Sequence, residues 1–165
     1  MNEENLPKIV DLNTFYDDRG KISFNNDFNF LELGIKRFYT VSHVAPNYIR
    51  AFHGHLKESK YCLVNSGYFR LVLIKMNVVD GRVLNFEDDL QLNKNTFIHH
   101  IEANQPRIVY IPRGYYNGFM NLTPTGQITF YSTSTTGESE GDDYRMHYQM
   151  FFNNGLSVWT TNNFR

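Results

Sequence analysis

Residues 61–76, Tyr61-Cys62-Leu63-Val64-Asn65-Ser66-Gly67-Tyr68-Phe69-Arg70-Leu71-Val72-Leu73-Ile74-Lys75-Met76, read as two strands joined by a tight turn. The apolar run Tyr61–Val64 stops at Asn65-Ser66-Gly67, a hairpin signal. Beyond the turn, Phe69, Leu71 and Leu73 alternate with Arg70, Val72 and Ile74, so successive side chains take opposite faces. The same grammar extends in both directions. Upstream, Lys21–Phe24 follows the turn Asp17-Asp18-Arg19-Gly20, Ile35–Val44 alternates through Phe38, Thr40 and Ser42, and Ile49–His55 follows Ala45-Pro46-Asn47. Downstream, Asp80-Gly81 precedes Arg82–Phe86, then come Thr96–Glu102 and Arg107–Ile111, and Pro124-Thr125-Gly126 joins Tyr116–Leu122 to Gln127–Thr133. Ser134 to Asp143 reads as a surface loop, and Tyr144–Phe152 fits a short helix or one more strand. The pattern predicts an all-β sandwich, barrel or jelly roll, as one domain over residues 1–165.

Composition supports that reading. Fourteen Phe and eleven Tyr, with three Ala in 165 residues, favour strands over long helices. The net charge of −1 argues against a nucleic-acid or membrane-surface partner. A single cysteine, Cys62, excludes an intrachain disulfide framework, and its apolar neighbours predict a buried, inert thiol. The N-terminus has no basic and apolar leader, and no run nears the ~18 apolar residues of a membrane span, so a cytoplasmic location is expected.

Two of the six histidines form His53-Gly54-His55 on a predicted strand, where residues i and i+2 share a face. From there the spacing His, x, His, four residues, Lys60, six residues, Gly67 matches the first metal motif of the cupins. Pro112, Gly114, Asn117 and Asn121 match the second, Pro-x-Gly-x-x-His-x-x-x-Asn. The chain resembles the cupin superfamily, which implies a jelly roll, the double-stranded β-helix. The motif's carboxylate position is Lys60 and its last histidine is Asn117. An ammonium repels a cation and two imidazoles alone hold one weakly, so no metal and no other cofactor is expected.

Within the cupins the sequence resembles two nucleotide-sugar branches. Arg50-Ala51-Phe52-His53, Lys60, the run Ile111-Pro112-Arg113-Gly114-Tyr115-Tyr116-Asn117-Gly118-Phe119, and Tyr131 resemble the dTDP-4-dehydrorhamnose 3,5-epimerases. Ile35-Lys36-Arg37-Phe38-Tyr39 and Arg50-Ala51-Phe52-His53-Gly54-His55 resemble the dTDP-4-keto-6-deoxyhexose 3,4-ketoisomerases. Asp17-Asp18-Arg19-Gly20 is similar to a turn found in both. The resemblance implies an epimerase of a nucleoside-diphosphate-linked 4-keto-6-deoxy sugar, inverting C3, C5 or both. Alternatives are a 3,4-ketoisomerase on the same substrate class and a sugar-nucleotide-binding cupin without turnover.

The residues suit the chemistry. A C–H beside a ketone is acidic, and its removal leaves an enolate. That requires a base, a group that stabilises the oxyanion, and, for inversion, an acid on the other face. His53 suits the base, Lys60 the oxyanion stabiliser and Tyr131 the opposing acid. Arg19 and Arg50 fall where the resembling enzymes bind diphosphate, and the guanidinium fork matches phosphate oxygens. His55, Asn117 and Tyr39 complete the expected substrate contacts. The carboxylate that the resemblance pairs with the base has two candidates, Asp142 and Asp143. The resemblance further implies a homodimer, with Arg19 reaching a neighbouring subunit's cavity.

Overall fold

The computed structural model describes residues 5–84, 96–147, 152–153 and 156–159. In chain order the strands are β1 (Lys8–Asp11), β2 (Asn13–Asp17), β3 (Gly20–Phe24), β4 (Arg37–His43), β5 (Ile49–His55), β6 (Lys60–Ser66) and β7 (Tyr68–Lys75). There follow β8 (Val78–Val79), β9 (Arg82–Val83), β10 (Thr96–Glu102), β11 (Arg107–Ile111), β12 (Tyr115–Asn121), β13 (Gly126–Ser132) and β14 (Tyr144–Arg145). A last hairpin pairs β15 (Phe152–Asn153) with β16 (Leu156–Ser157). No helix among the described residues is long and apolar enough to cross a membrane.

Two five-stranded antiparallel sheets, in the orders β1-β11-β6-β13-β4 and β10-β7-β12-β5-β14, form a sandwich. The sheets are the jelly roll of a cupin, as the motif spacing implied. Alternation drives the packing. Cys62 and Val64 of β6, Val109 and Ile111 of β11, and Ile128 and Phe130 of β13 meet Phe69, Leu71, Leu73, Tyr115 and Phe119 from the other sheet. Each such large apolar side chain contributes about 1.5–3 kcal/mol when fully buried. A second cluster covers the back of the β7–β12–β5 sheet, where Phe52, Val72, Ile74 and Met120 pack under Val158 and Trp159. Cys62 is fully buried and its thiol is pushed up to about 12 by that burial, matching the inert thiol expected.

The strand expectations at Ile49–His55, Thr96–Glu102 and Arg107–Ile111 coincide with β5, β10 and β11. Three departures matter. The sequence reading left out β1 and β2; β2 pairs with β3 as a hairpin in which every residue is exposed. Tyr144–Phe152 begins as strand β14 along the edge of β5, while residues 148–151 lie outside the described ones, as do 85 and 86 of the expected strand Arg82–Phe86. The segment Ser134 to Asp143 is no simple surface loop, because Ser134 and Asp142 are buried against the sandwich.

One glycine fixes the site's geometry. A Cβ at Gly54 would lie 2.6 Å from the Tyr116 ring and 2.9 Å from the Met76 sulfur. Only a glycine lets β5 lie this close to its backing while the flanking histidines face the other way.

Candidate active site

The sandwich opens into two adjoining cavities of about 550 and 410 Å³ that share Tyr39 and His53. The larger is walled by Arg37, His55 and the 136–143 segment, the smaller by Arg50, Lys60, Asn117 and Phe119. Tyr39 and Lys60 come from one sheet, His53, His55 and Asn117 from the other. Both sheets thus face the same space with polar side chains.

His53 keeps 43% of its side chain exposed, and its Nδ1 lies 3.3 Å from Asp143 Oδ1. A carboxylate accepts, so it favours the tautomer with hydrogen on Nδ1 and leaves the Nε2 lone pair available to take a proton. Burial works to raise the Asp143 carboxyl, but Arg145 and His53 overcome it and hold the group below the usual range. Asp143 therefore stays ionised to orient the imidazole. Asn117, opposite His53 on β12, donates from Nδ2 to the His53 carbonyl at 2.7 Å, which steadies the strand beneath the base.

His55 is built differently. Its Nδ1 donates to the Asp142 carbonyl at 2.6 Å, and its Nε2 accepts from Lys60 Nζ at 3.0 Å. Both ring nitrogens are engaged inside the protein. Burial, then the Lys60 charge, push this imidazole below its ordinary value, so it is neutral and its proton sits on Nδ1. The ammonium occupies the lone pair that a metal would need. Asp142 itself accepts from the Leu56 and Lys57 amides at 2.9 and 3.0 Å, pinning the 134–143 segment to the end of β5.

Beneath Lys60 lies Glu58, 2% exposed. Its Oε1 accepts from Ser132 Oγ at 2.6 Å and from Arg37 at 3.3 Å and lies 3.7 Å from Lys60 Nζ; its Oε2 accepts from Ser139 Oγ at 2.8 Å. Burial alone would raise this carboxyl; Lys60, Ser132, His55 and Ser139 together reverse that and hold it below the carboxylate range. Burial also lowers Lys60, with Glu58 pulling the other way. Arg37 bonds the Ser134 carbonyl at 2.8 Å and stacks over Tyr39 at 5.3 Å. Burial, then Glu58, drive the Tyr39 phenol far above its ordinary value, so it stays protonated and passes its proton on only while receiving another.

The arrangement brings His53, Lys60, Tyr39, His55 and Asn117 to the walls of the two adjoining cavities. It does not bring Tyr131. On β13 the inward residues are Ile128, Phe130 and Ser132, so alternation turns Tyr131 to the outer face. There its ring packs among Phe28, Phe30 and Phe38. The expectation that Tyr131 supplies the opposing acid is corrected on this ground, and the apolar Ile128 and Phe130 were the signal that fixed its face. Arg50 lies at the mouth of the smaller cavity. Arg19 lies at the tip of the β2–β3 hairpin, 86% exposed and paired with Asp17. It lines neither cavity of its own chain. Sequence reasoning gave no role to Glu58 or Arg37; Glu58 lies two residues before the motif position, where spacing carries no signal.

A family model described as "FdtA: WxcM-like, C-terminal" matches residues 5–155. No curated protein gives a significant match. Among solved structures, the chain is similar to NovW, a 4-keto-6-deoxy sugar epimerase from Streptomyces spheroides. The TM-score is 0.71 at 14% identity, over 98% of this chain and 78% of that one. It is similar to the dTDP-4-dehydrorhamnose 3,5-epimerase of Bacillus anthracis, with TM-score 0.67 at 18% identity, over 86% and 79%. It is also similar to the QdtA 3,4-ketoisomerase of Thermoanaerobacterium thermosaccharolyticum, with TM-score 0.61 at 15% identity, over 85% and 87%. At these identities the structures speak for the fold, while the family model spans nearly the whole described chain: the protein belongs to the FdtA, WxcM-like family of cupins.

Proposed function

We propose that this chain is an isomerase that moves protons beside the ketone of a nucleoside-diphosphate-linked 4-keto-6-deoxy sugar, and that its reaction is 3,4-ketoisomerisation. One observation carries the choice. His53 is the one imidazole of the pair with a ring nitrogen free among the described residues, since both nitrogens of His55 are engaged. A single base suits a proton taken from one carbon and returned to its neighbour. His53 Nε2 removes the C3 proton and the electrons form the C3–C4 double bond. Lys60 stabilises the charge that develops on O4. Tyr39 gives its proton to O4 as it takes the one on O3. The half-exposed imidazolium exchanges its proton with solvent, and His53 then delivers a proton to C4, leaving the ketone on C3. Asp143 keeps the imidazolium oriented throughout. Arg50, at the cavity mouth, fits the diphosphate.

The second reading, epimerisation at C3, draws on Tyr39 and His53 arising from opposite sheets, a placement that suits an acid facing a base. Turnover in D₂O followed by NMR separates them, across a panel of nucleotide 4-keto-6-deoxy sugars. Deuterium on C4 with the ketone on C3 is the expected result. Deuterium on C3 or C5 with the ketone still on C4 favours epimerisation. Tight binding with no exchange at any carbon favours a sugar-nucleotide-binding cupin.

The assembly we propose is a homodimer. The outer face around Phe38 is apolar and open, Phe38 being 71% exposed, and the β2–β3 hairpin displays Phe15, Tyr16 and Ile22 at 59–68% exposure. A hairpin with that surface fits against a second copy, where Arg19 would reach the partner's substrate. Sedimentation of the purified chain as a monomer would end this part of the reading.

A further inference from the structure

We propose that Glu58 is a positioning residue for this site, holding Lys60 as an ammonium toward the cavity and tying to it the segment that presents Asp143 to His53. The inference rests on the isomerase reading and names what sets the charge of its oxyanion stabiliser.

The geometry carries it. The Glu58 side chain is wholly buried, and its two oxygens divide their partners. Oε1 serves Ser132 of β13 and Arg37 of β4 and faces Lys60 of β6. Oε2 serves Ser139, midway along the 134–143 segment, and lies 3.4 Å from His55 Nδ1. Removing the ionised oxygen pair leaves two cations, Arg37 and Lys60, close together where water is scarce. Arg37 cannot shed its proton, so Lys60 would. A neutral amine offers an enolate no charge.

The other groups around Lys60 do not replace Glu58. His55 is neutral and accepts from Lys60 through Nε2. The Asp142 carboxylate is taken up by the Leu56 and Lys57 amides. Asp143 attracts Lys60 from farther off and is already shared by His53 and Arg145. Tyr39 is protonated. The second half of the role runs through Ser139. Its hydroxyl donates to Glu58 at 2.8 Å, and three residues later Asp142 pins the segment to the end of β5, immediately before Asp143. One carboxylate therefore bonds the segment that orients the base and also balances the ammonium that stabilises the product of its action.

Glu58→Gln tests the claim, because it keeps the volume and one acceptor oxygen, enough to hold Ser139, while removing the charge. Turnover at pH 8 should fall about tenfold or more with KM changed by less than about threefold. The alkaline limb of the kcat profile should move down by about one pH unit. Glu58→Asp, which keeps the charge, should recover part of the loss. In a Lys60→Met background, Glu58→Gln should cost no further turnover. NMR titration of the Lys60 side chain, which needs no substrate, should show its proton lost at lower pH in Glu58→Gln than in the unaltered chain. An unchanged Lys60 titration overturns the proposal, as do losses that multiply in the double variant. If no nucleotide 4-keto sugar is turned over at all, the isomerase reading falls and the titration still decides for or against Glu58.

Discussion

His53 and His55 stand two residues apart on β5 and face the same cavity, yet their surroundings are opposites. His53 lies at the open end, nearly half exposed, with one ring nitrogen on Asp143. His55 lies at the closed end, 7% exposed, with both nitrogens bonded. An imidazole serves as a base only if a lone pair can meet the substrate; one whose lone pair is already filled serves as a strut. The same residue type at adjacent in-facing positions therefore divides into a chemical half and a structural half. What makes the division is Lys60, which fills the Nε2 lone pair of His55, while the 134–143 segment supplies an Nδ1 partner to both, a carboxylate to the first and a carbonyl to the second.

The sharpest way to break this comparison is to remove the open-end base. His53→Ala should lower turnover by about 10²–10⁴-fold, read by NMR of product formation, with little change in the thermal melt. If His55→Gln cost as much in turnover while leaving stability intact, the division of labour would be wrong. At the closed end the large effect should be on folding. Glu58→Ala leaves Arg37 and Lys60 without their buried counter-charge and should destabilise the chain by about 3–5 kcal/mol in urea titration. Asp142→Ala strips the acceptors from the Leu56 and Lys57 amides and should cost about 1–3 kcal/mol by the same measurement.

Acid provides a gentler test. His43 and His55 are both lowered by burial, and the His43 ring nitrogens have no hydrogen-bond partner among the described residues. Above a pH of about 6.5 these imidazoles are neutral in folded and unfolded chains alike. Below it the unfolded chain takes up protons that the folded chain refuses, so stability should decline as pH falls toward the lowered native values. Urea titrations at pH 7.5 and 5.5 measure the slope, and His43→Phe should flatten it. The smallest effect belongs to Tyr131→Phe, which should leave turnover within about twofold because its hydroxyl lies on the outer face. A loss comparable to that of His53→Ala would restore the phenol to the chemistry.

Much of this was legible in the chain. Alternation and turn residues located most of the strands because a half-buried strand writes its two faces into every second residue. The His-x-His spacing located the cavity because that periodicity is rigid. Motif distance misplaces Tyr131 where parity does not: Ile128 and Phe130, both apolar and both even-numbered, turn inward and leave Tyr131 on the outer face. Glu58 was beyond such reasoning. It sits in an irregular connection with no period, and its partners arrive from β4, β6, β13 and the 134–143 segment. The resemblance offered Asp142 and Asp143 as the base's partner, and only the fold could show that the second turns to His53 while the first caps backbone amides.

Gly54 gives the pocket an evolutionary constraint that its catalytic residues do not reveal. The atoms that forbid a side chain there belong to Tyr116 and Met76, behind the strand and away from any substrate. A methyl at position 54 can be admitted only if the Tyr116 ring gives way, because the Met76 sulfur sits on a flexible side chain and the ring does not. The silent position between the two histidines is thus held to glycine from behind the strand, whatever the cavity in front of it demands.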